Sequence, residues 1–484
     1  MKATELLFIP MPLMGHFVPA VELARRIARR DERISITILV MKFQSDETAA
    51  YVRSLKTAAH TDKGIEFVLL PELENPIDMS SNAYIDRFIE AYKPIVKQTV
   101  QELLVTRRGS GSQLVRGIVS DMIIMGMLDV AKELDLPRYV FSTYSLGLLC
   151  LMLHFQSLRD DHRVDFTEFK DPDTEFDVPG FRNRVPSKVL PPMTRGNDFA
   201  FTFLLNQARR CRDVNGILVN SFTELESDAH QAISMADNTP PVYPVGPIIN
   251  HNPQNARGVD ASHGGGDSIM RWLDHQPPLS VVFLCFGSMG CFGVEQVKEV
   301  ADGLEQSGHR FLWSLRRPAA DGEKLRTHDY DNFDGLLPDG FLDRTASIGR
   351  VIGWAPQAAI LNHPSTGAFV SHCGWNSTLE SLWFGAPIAA WPMFADQHVN
   401  AFRLVKESGL AVEIRLDYVW DRFSQSANFL VKADELERGI RKVMDTDSEV
   451  RKKMKEMKEE TRRAIAEGGS SYTWLGHFIE DATK

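Results

Sequence analysis

The sequence predicts an α/β protein of two tandem domains, each built on a parallel sheet. Three observations predict it. Short apolar runs alternate with helical stretches through both halves of the chain, the pattern of parallel strands joined by crossover helices. Both halves open alike, on an apolar strand, a Gly-containing loop and an amphipathic helix. A Pro/Gly/Asn-rich segment, residues 240–266, lies between them and reads as containing a linker.

In the first half the apolar runs are LLFIP (6–10), ISITILV (34–40), IEFVLL (65–70), VRGIVS (115–120), RYVFST (138–143) and GILVNS (216–221). A loop ending at Gly15-His16 follows the first run, and FVPAVELARRIARR then has helical spacing. Between about residues 155 and 203 the regular pattern weakens into a Pro-, Asp- and Phe-rich excursion; loops that long are usually functional. The pattern restarts with SVVFLCFGS (280–288), a strand entering a Gly-rich turn, and the helix GVEQVKEVADGLEQSG. HRFLWSLR (309–316), RVIGW (350–354), GAFVSH (367–372), PIAAWP (387–392) and AVEI (411–414) supply further strands. Residues 434–468 read as a charge-laced helical region, after which GGSS introduces a short amphipathic helix, 472–479. The expected division is a first domain over 1–249, a linker over 250–266, a second domain over 267–467 and a terminal helix over 468–484. Two nucleotide-binding-type sheets with a cleft between them is the economical architecture.

The 484 residues carry 54 basic and 64 acidic side chains, a formal net charge of −10. That balance opposes nonspecific binding to nucleic acid or to an anionic membrane. The five cysteines, Cys150, Cys211, Cys285, Cys291 and Cys373, are widely spaced without a CxxC pair, so neither a disulfide framework nor a zinc site is indicated. The apolar start, 6–14, is interrupted by Pro10 and Pro12 and lacks a basic leader, unlike a signal peptide. No apolar run approaches the roughly 20 residues of a membrane-spanning helix. A cytoplasmic protein is expected. D-x-D triplets occur at 171–173, 329–331 and 445–447, but none follows a buried strand, and no metal site is assigned to them.

The richest stretch is 354–397, WAPQAAILNHPSTGAFVSHCGWNSTLESLWFGAPIAAWPMFADQ. GAFVSH reads as a buried strand, Gly374 as the residue that lets the backbone turn, and Asn376, Ser377 and Thr378 as helix-start residues. A strand, a tight turn and a helix start gather free backbone N–H groups and a positive dipole end, which is an anion site. Trp354 offers a flat face for a base, Glu380 a carboxylate for ribose hydroxyls, and Asp396 with Gln397 paired polar groups for a polyhydroxylated ring. Ser377 and Glu380 also have the S-x-x-E spacing of a capping box. In the first half, His16 and Asp121 each lie just beyond a strand, where loops gather at the ligand crevice of a doubly wound sheet. An imidazole oriented by a carboxylate is a general base near neutral pH, although His16 as a helix cap and Asp121 as a turn residue are the structural alternatives.

Opening W-A-P-Q, containing H-C-G-W-N-S-x-x-E and closing D-Q, the 354–397 box resembles the signature of plant family-1 UDP-dependent glycosyltransferases, and the likeness extends over nearly the whole chain. The resemblance implies two Rossmann-like domains facing each other across a cleft (GT-B type), with the C-terminal helix crossing back to the first domain. It implies that Trp354 stacks on uracil while the Ala355 backbone pairs its edge, that Gln357 and Glu380 hold ribose, and that His372, Asn376, Ser377 and Ser288 contact the diphosphate. Trp375, Asp396, Gln397 and Thr143 would meet the sugar. G-H-x-x-P (residues 15–19) and the Asp after IVS match the family's base and supporting acid, His16 and Asp121. A final Gln usually accompanies glucose in this family and a final His galactose; Gln397 precedes His398 here, so glucose is expected. The implied reaction is inverting transfer of glucose from UDP-glucose, a co-substrate, to a hydroxyl of a small hydrophobic phenolic or terpenoid acceptor, flavonoid-like first, without a metal or resident cofactor and by a monomer. Met14, Met122, Phe199 and Ala395 are the expected acceptor lining. The competing readings are the same enzyme type with another UDP-sugar and a nucleotide-sugar-binding protein without turnover. A nicotinamide-dependent oxidoreductase is disfavoured because neither half has G-x-G-x-x-G.

Overall fold

The computed structural model describes residues 3–43, 47–57, 63–75, 77, 83–110, 113–164, 171, 173–194, 198–250, 265–318, 327–421 and 424–484. Most of the expected linker, 251–264, lies outside them. The chain divides into two compact units: Met1–Val164, Asp198–Ala261 and Arg463–Lys484 form the first, Asp165–Asn197 and Ser262–Arg462 the second.

The first unit carries a seven-stranded parallel sheet of β1 (Ala3–Ile9), β2 (Ile34–Val40), β3 (Ile65–Leu69), β4 (Gln113–Asp121), β5 (Arg138–Ser142), β6 (Gly216–Val219) and β7 (Val242–Pro244), in the order β3-β2-β1-β4-β5-β6-β7. Leu6, Phe8, Ile36, Ile38, Val119 and Phe141 pack in its core. The second unit repeats the plan with six parallel strands, β8 (Val281–Cys285), β9 (Arg310–Ser314), β10 (Gly349–Ile352), β11 (Thr366–Ser371), β12 (Ile388–Ala390) and β13 (Ala411–Glu413), ordered β10-β9-β8-β11-β12-β13. Along β8, Val282 and Leu284 join one core cluster while Val281, Phe283 and Cys285 join another. Both faces of β8 are therefore buried, which is why this strand is apolar throughout instead of alternating.

In each unit the strand order reverses between the first strand and the fourth. That reversal leaves a crevice at the carboxyl ends of the two neighbours, where ligands of doubly wound sheets bind. His16 follows β1 and Asp121 ends β4; Gly287 follows β8 and His372 follows β11. The residues singled out in the sequence thus lie at equivalent places in the two units.

Several expectations change. His16 is not in a loop: the first helix starts at Met14, with Leu13 as an extended N-cap whose carbonyl accepts the N–H groups of His16 and Phe17. The strand β7 lies inside the segment read as Pro/Gly/Asn-rich, and as the last strand of its sheet it tolerates Pro241 and Pro244. Of the excursion assigned to the first domain, the described part of Asp165–Asn197 packs with the second unit, where Glu407 accepts the N–H groups of Arg182 and Asn183, and Arg403 donates to Gly180 O at 3.0 Å. The 434–468 region is two helices, Ala433–Met444 and Glu449–Ile465. The final helix, expected over 472–479, runs over Ser470–Thr483 and packs within the first unit: Tyr243 Oη donates to Asp481 Oδ2 at 2.7 Å and Tyr139 meets Phe478 edge-on. Among the described residues no helix is long and apolar enough to cross a membrane.

Candidate active site

In the first unit, His16 projects from the opening turn of its helix with its side chain 14% exposed, over an Asp121 side chain that is 1% exposed. The His16 Nδ1 lies 2.9 Å from Asp121 Oδ2. The other carboxylate oxygen accepts the Ile123 N–H at 2.8 Å and caps the 3-10 turn Met122–Met127. Asp121 is therefore both a turn residue and the imidazole's partner, and the cap is what immobilises the carboxylate. Thr143 Oγ1 stands 2.8 Å from the same Nδ1. A carboxylate accepts only, so the Nδ1 proton points between Asp121 and Thr143 as a shared hydrogen bond. Nε2 is then the unprotonated nitrogen and the basic one. Tyr144 packs its ring edge-on against His16 at 5.6 Å. Contact of Thr143 with the imidazole was not foreseen; a hydroxyl one residue beyond β5 was the only signal available.

In the second unit the turn after β11 does not use Gly374 as expected. Cys373 takes the left-handed conformation, φ 60°, and Gly374 has an ordinary φ of −58°. Glycine is needed at 374 for space: a Cβ there would lie 2.5 Å from His372 Nε2, and one at Gly287, φ 75°, would lie 2.6 Å from the same atom. The two loops thus close on the His372 ring with no side chain between. The His372 imidazole is 7% exposed, and burial pushes its pKa down to about 4, so near neutrality it is an uncharged ring. The helix Trp375–Phe384 starts directly after, with Gly374 as N-cap and no side chain capping it. Its N-terminus sets the positive end of the helix dipole at this turn, an environment that favours an anion.

The S-x-x-E capping box does not form. Instead Gln357 Nε2 donates to Ser377 Oγ at 2.9 Å and to Glu380 Oε2 at 2.7 Å. Both amide hydrogens are spent, so Gln357 offers a ligand its carbonyl oxygen, beside the Glu380 carboxylate. Two neighbouring acceptors match a vicinal diol, each of whose hydroxyls can donate. Burial pushes the Glu380 pKa up to about 7, against a smaller lowering by Gln357. Donation from a diol favours the ionised form, so binding lowers that pKa and releases a proton below it. The KM for a ribose-bearing donor should accordingly rise as pH falls through about 7, by roughly tenfold per unit well below it. Initial rates between about pH 8 and 6 measure this, and Glu380→Gln should flatten the dependence.

Trp354 is 45% exposed, so a face of its ring is open to stacking. The Ala355 carbonyl accepts the Gln357 N–H and folds the chain into the next helix. Ser288 lies exposed in the loop after β8, while Trp375 is largely buried and Asn376 half-buried. Ala395, φ 56°, turns the chain into Asp396 and Gln397. Gln397 Oε1 accepts from the Met393 and Phe394 N–H groups at 2.9 and 3.0 Å, which directs its NH2 as the group it can present. His398 faces the core, its Nε2 2.7 Å from Tyr418 O. Asn400 was missed. Its Nδ2 donates to Asp396 Oδ2 at 2.7 Å and to Cys373 O at 3.1 Å, joining the expected sugar carboxylate to the anion turn; a buried Asn one helical turn past a motif carries no distinct sequence signal.

Of the expected acceptor lining, Met122 is 2% exposed and Met14 packs partly on the core, whereas Phe199 is open to solvent. A cavity of about 370 Å³ in the first unit is lined by Asp86, Ile89, Glu90, Gly126, Phe203 and Gln207 among others, and by none of those four. Among the described residues no group of three or more His, Cys, Asp or Glu side chains could hold a metal ion.

The profile of the UDP-glucoronosyl and UDP-glucosyl transferase family matches residues 265–421. UDP-glucose flavonoid 3-O-glucosyltransferase 6 of Fragaria ananassa is 48% identical over 99% of this chain and 98% of its own length. A glycosyltransferase from Siraitia grosvenorii solved in complex with UDP is 45% identical, with a TM-score of 0.88 over 99% of this chain and 100% of that one. UGT71G1 of Medicago truncatula, solved with UDP-glucose, is 38% identical, with a TM-score of 0.84 over 99% and 98% of the two chains.

Proposed function

The chain belongs to the family of plant UDP-dependent glycosyltransferases and transfers a glycosyl group from a UDP-sugar; from that premise we propose that it glucosylates a hydroxyl of a small phenolic or terpenoid acceptor, flavonoid-like first, with inversion. The observation that carries this reading is the His16–Asp121 pair, an imidazole whose Nδ1 is tied to a buried carboxylate. The names of the relatives support glucose and a flavonoid: one is a flavonoid 3-O-glucosyltransferase and another was solved with UDP-glucose.

In the proposed reaction Nε2 of His16 takes the acceptor's O–H proton, and the oxygen attacks the anomeric carbon. The bond from that carbon to the diphosphate breaks, and UDP departs with the electron pair. One displacement inverts the centre, so an α-linked donor gives a β-glucoside. Negative charge grows on the departing diphosphate, where the uncapped helix start at Trp375 and the neutral His372 donate without reorganising. Trp354 receives uracil, Gln357 and Glu380 the ribose, and Asp396 with the Gln397 NH2 the glucose hydroxyls. On this reading the enzyme is a cytoplasmic monomer needing no metal or cofactor. Mass spectrometry of products from flavonoids, simple phenols and triterpenes offered with UDP-glucose tests it; no glucoside with any of the three would reject the acceptor class.

Gln397 is the proposed sugar selector, because His398 is turned into the core. A histidine at 397 cannot both accept the Met393 and Phe394 N–H groups and present an NH2. Gln397→His should lower the kcat/KM preference for UDP-glucose over UDP-galactose by about tenfold, the worth of one hydrogen bond. An unchanged ratio removes Gln397 from that role.

A further inference from the structure

The D-x-D triplet at 329–331 has a use unrelated to metal. After β9 the chain reaches Arg316 and a short antiparallel hairpin, Arg317–Pro318 against Thr327–His328. The Arg316 side chain, mostly buried, donates through Nη2 to Thr327 O at 2.8 Å and through Nε to Thr327 Oγ1 at 3.1 Å. Its Nη1 binds Asp329 Oδ1. Asp329 Oδ1 also accepts the Trp354 N–H at 2.9 Å. Asp329 is packed so closely on the preceding residue that a Cβ at Gly353 would lie 2.3 Å from its Cγ. At the other end, Thr327 Oγ1 donates to Ser288 O at 2.9 Å. Three side chains thus run from the backbone of Trp354, after β10, to the backbone of Ser288, after β8.

We propose that Arg316, Thr327 and Asp329 are positioning residues, a bracket that sets the span between the base platform and the diphosphate loop and so tunes the site to a nucleoside diphosphate. The inference rests on the proposed donor site, in which Trp354 takes the base and Ser288 faces the phosphates. None of the three need touch the ligand. A bracket acts on simultaneous occupancy: uridine alone uses one end, whereas UDP must match both. Loss of the bracket therefore weakens UDP more than uridine, because the second contact is no longer held in place when the first is made. A mere prop for Trp354 would weaken both equally.

The test is calorimetric titration of the full chain with uridine and with UDP, in wild type, Asp329→Ala and Thr327→Val, with thermal unfolding alongside. The ratio of uridine to UDP dissociation constants should fall by about tenfold in each variant, the worth of one hydrogen bond. Asp329→Asn, which keeps an acceptor for the Trp354 N–H, should recover part of the loss. Thr327→Val preserves side-chain shape and removes the hydroxyl to Ser288, so it carries the comparison if Asp329→Ala fails to fold. A ratio equal to wild type in the folded variants overturns the bracket. Wild-type protein that does not bind UDP overturns the donor-site reading instead, so the two failures are distinguishable.

Discussion

Replacing His16 with alanine is expected to lower glucosyl transfer by about 10²–10⁴-fold while the affinity for UDP-glucose stays within about twofold of wild type. A hydroxyl is a poor nucleophile until its proton is taken, and His16 is the imidazole that β1 and the helix behind it deliver beside Asp121. Apart from Thr143, the residues proposed to hold the donor all come from the second unit, so deleting an imidazole in the first should leave them intact. The ring is mostly buried, so thermal unfolding of the variant is measured alongside to show that the fold is kept. Stopped-rate assays and titration of UDP-glucose into the same preparation separate the two effects. A variant that keeps full kcat excludes His16 as the base; one that loses donor binding in proportion to rate makes it a structural residue.

Asp121→Asn should lose comparably, about 10²–10⁴-fold in kcat, with little change in stability. The amide can still accept the Ile123 N–H that the carboxylate now caps. Its other end would present an NH2 to Nδ1, forcing the imidazole proton onto Nε2 and leaving no base to face the acceptor. The residual rate should then rise with pH, since hydroxide replaces the missing base. Asp121→Ala removes the cap as well and should additionally cost about 1 kcal/mol of stability, read as a lower midpoint in denaturant. Thr143→Val removes only the second partner of Nδ1 and should cost less than either. An Asp121→Asn enzyme with wild-type kcat would show that the carboxylate merely ends a strand.

Central strands such as Val281–Cys285 were legible because they are buried on both faces and have no polar residue to disguise them. Val242–Pro244 was hidden by its prolines, which an edge strand tolerates and a central one does not. Side-chain identity pointed to His16 and Asp121, but not to the helical turn that aims the first or the cap that holds the second. Glycine at 374 was read as conformational freedom, while the structure asks it for room beside His372 and gives the left-handed turn to Cys373. Ser377 and Glu380 matched a local capping pattern, yet their partner is Gln357, some twenty residues away in sequence. The bond from Asn400 to Cys373 O and the Arg316–Thr327–Asp329 bracket join segments distant in sequence, which no periodicity or spacing encodes.

The most direct measurement is the anomeric configuration of the glucoside, read by proton NMR from UDP-α-glucose and a phenolic acceptor turned over by the intact chain. Attack by an acceptor oxygen freed by His16, opposite the departing UDP, predicts a β-glucoside with the large coupling of trans-diaxial protons. An α-glucoside would contradict a single displacement and the role given to His16 in it.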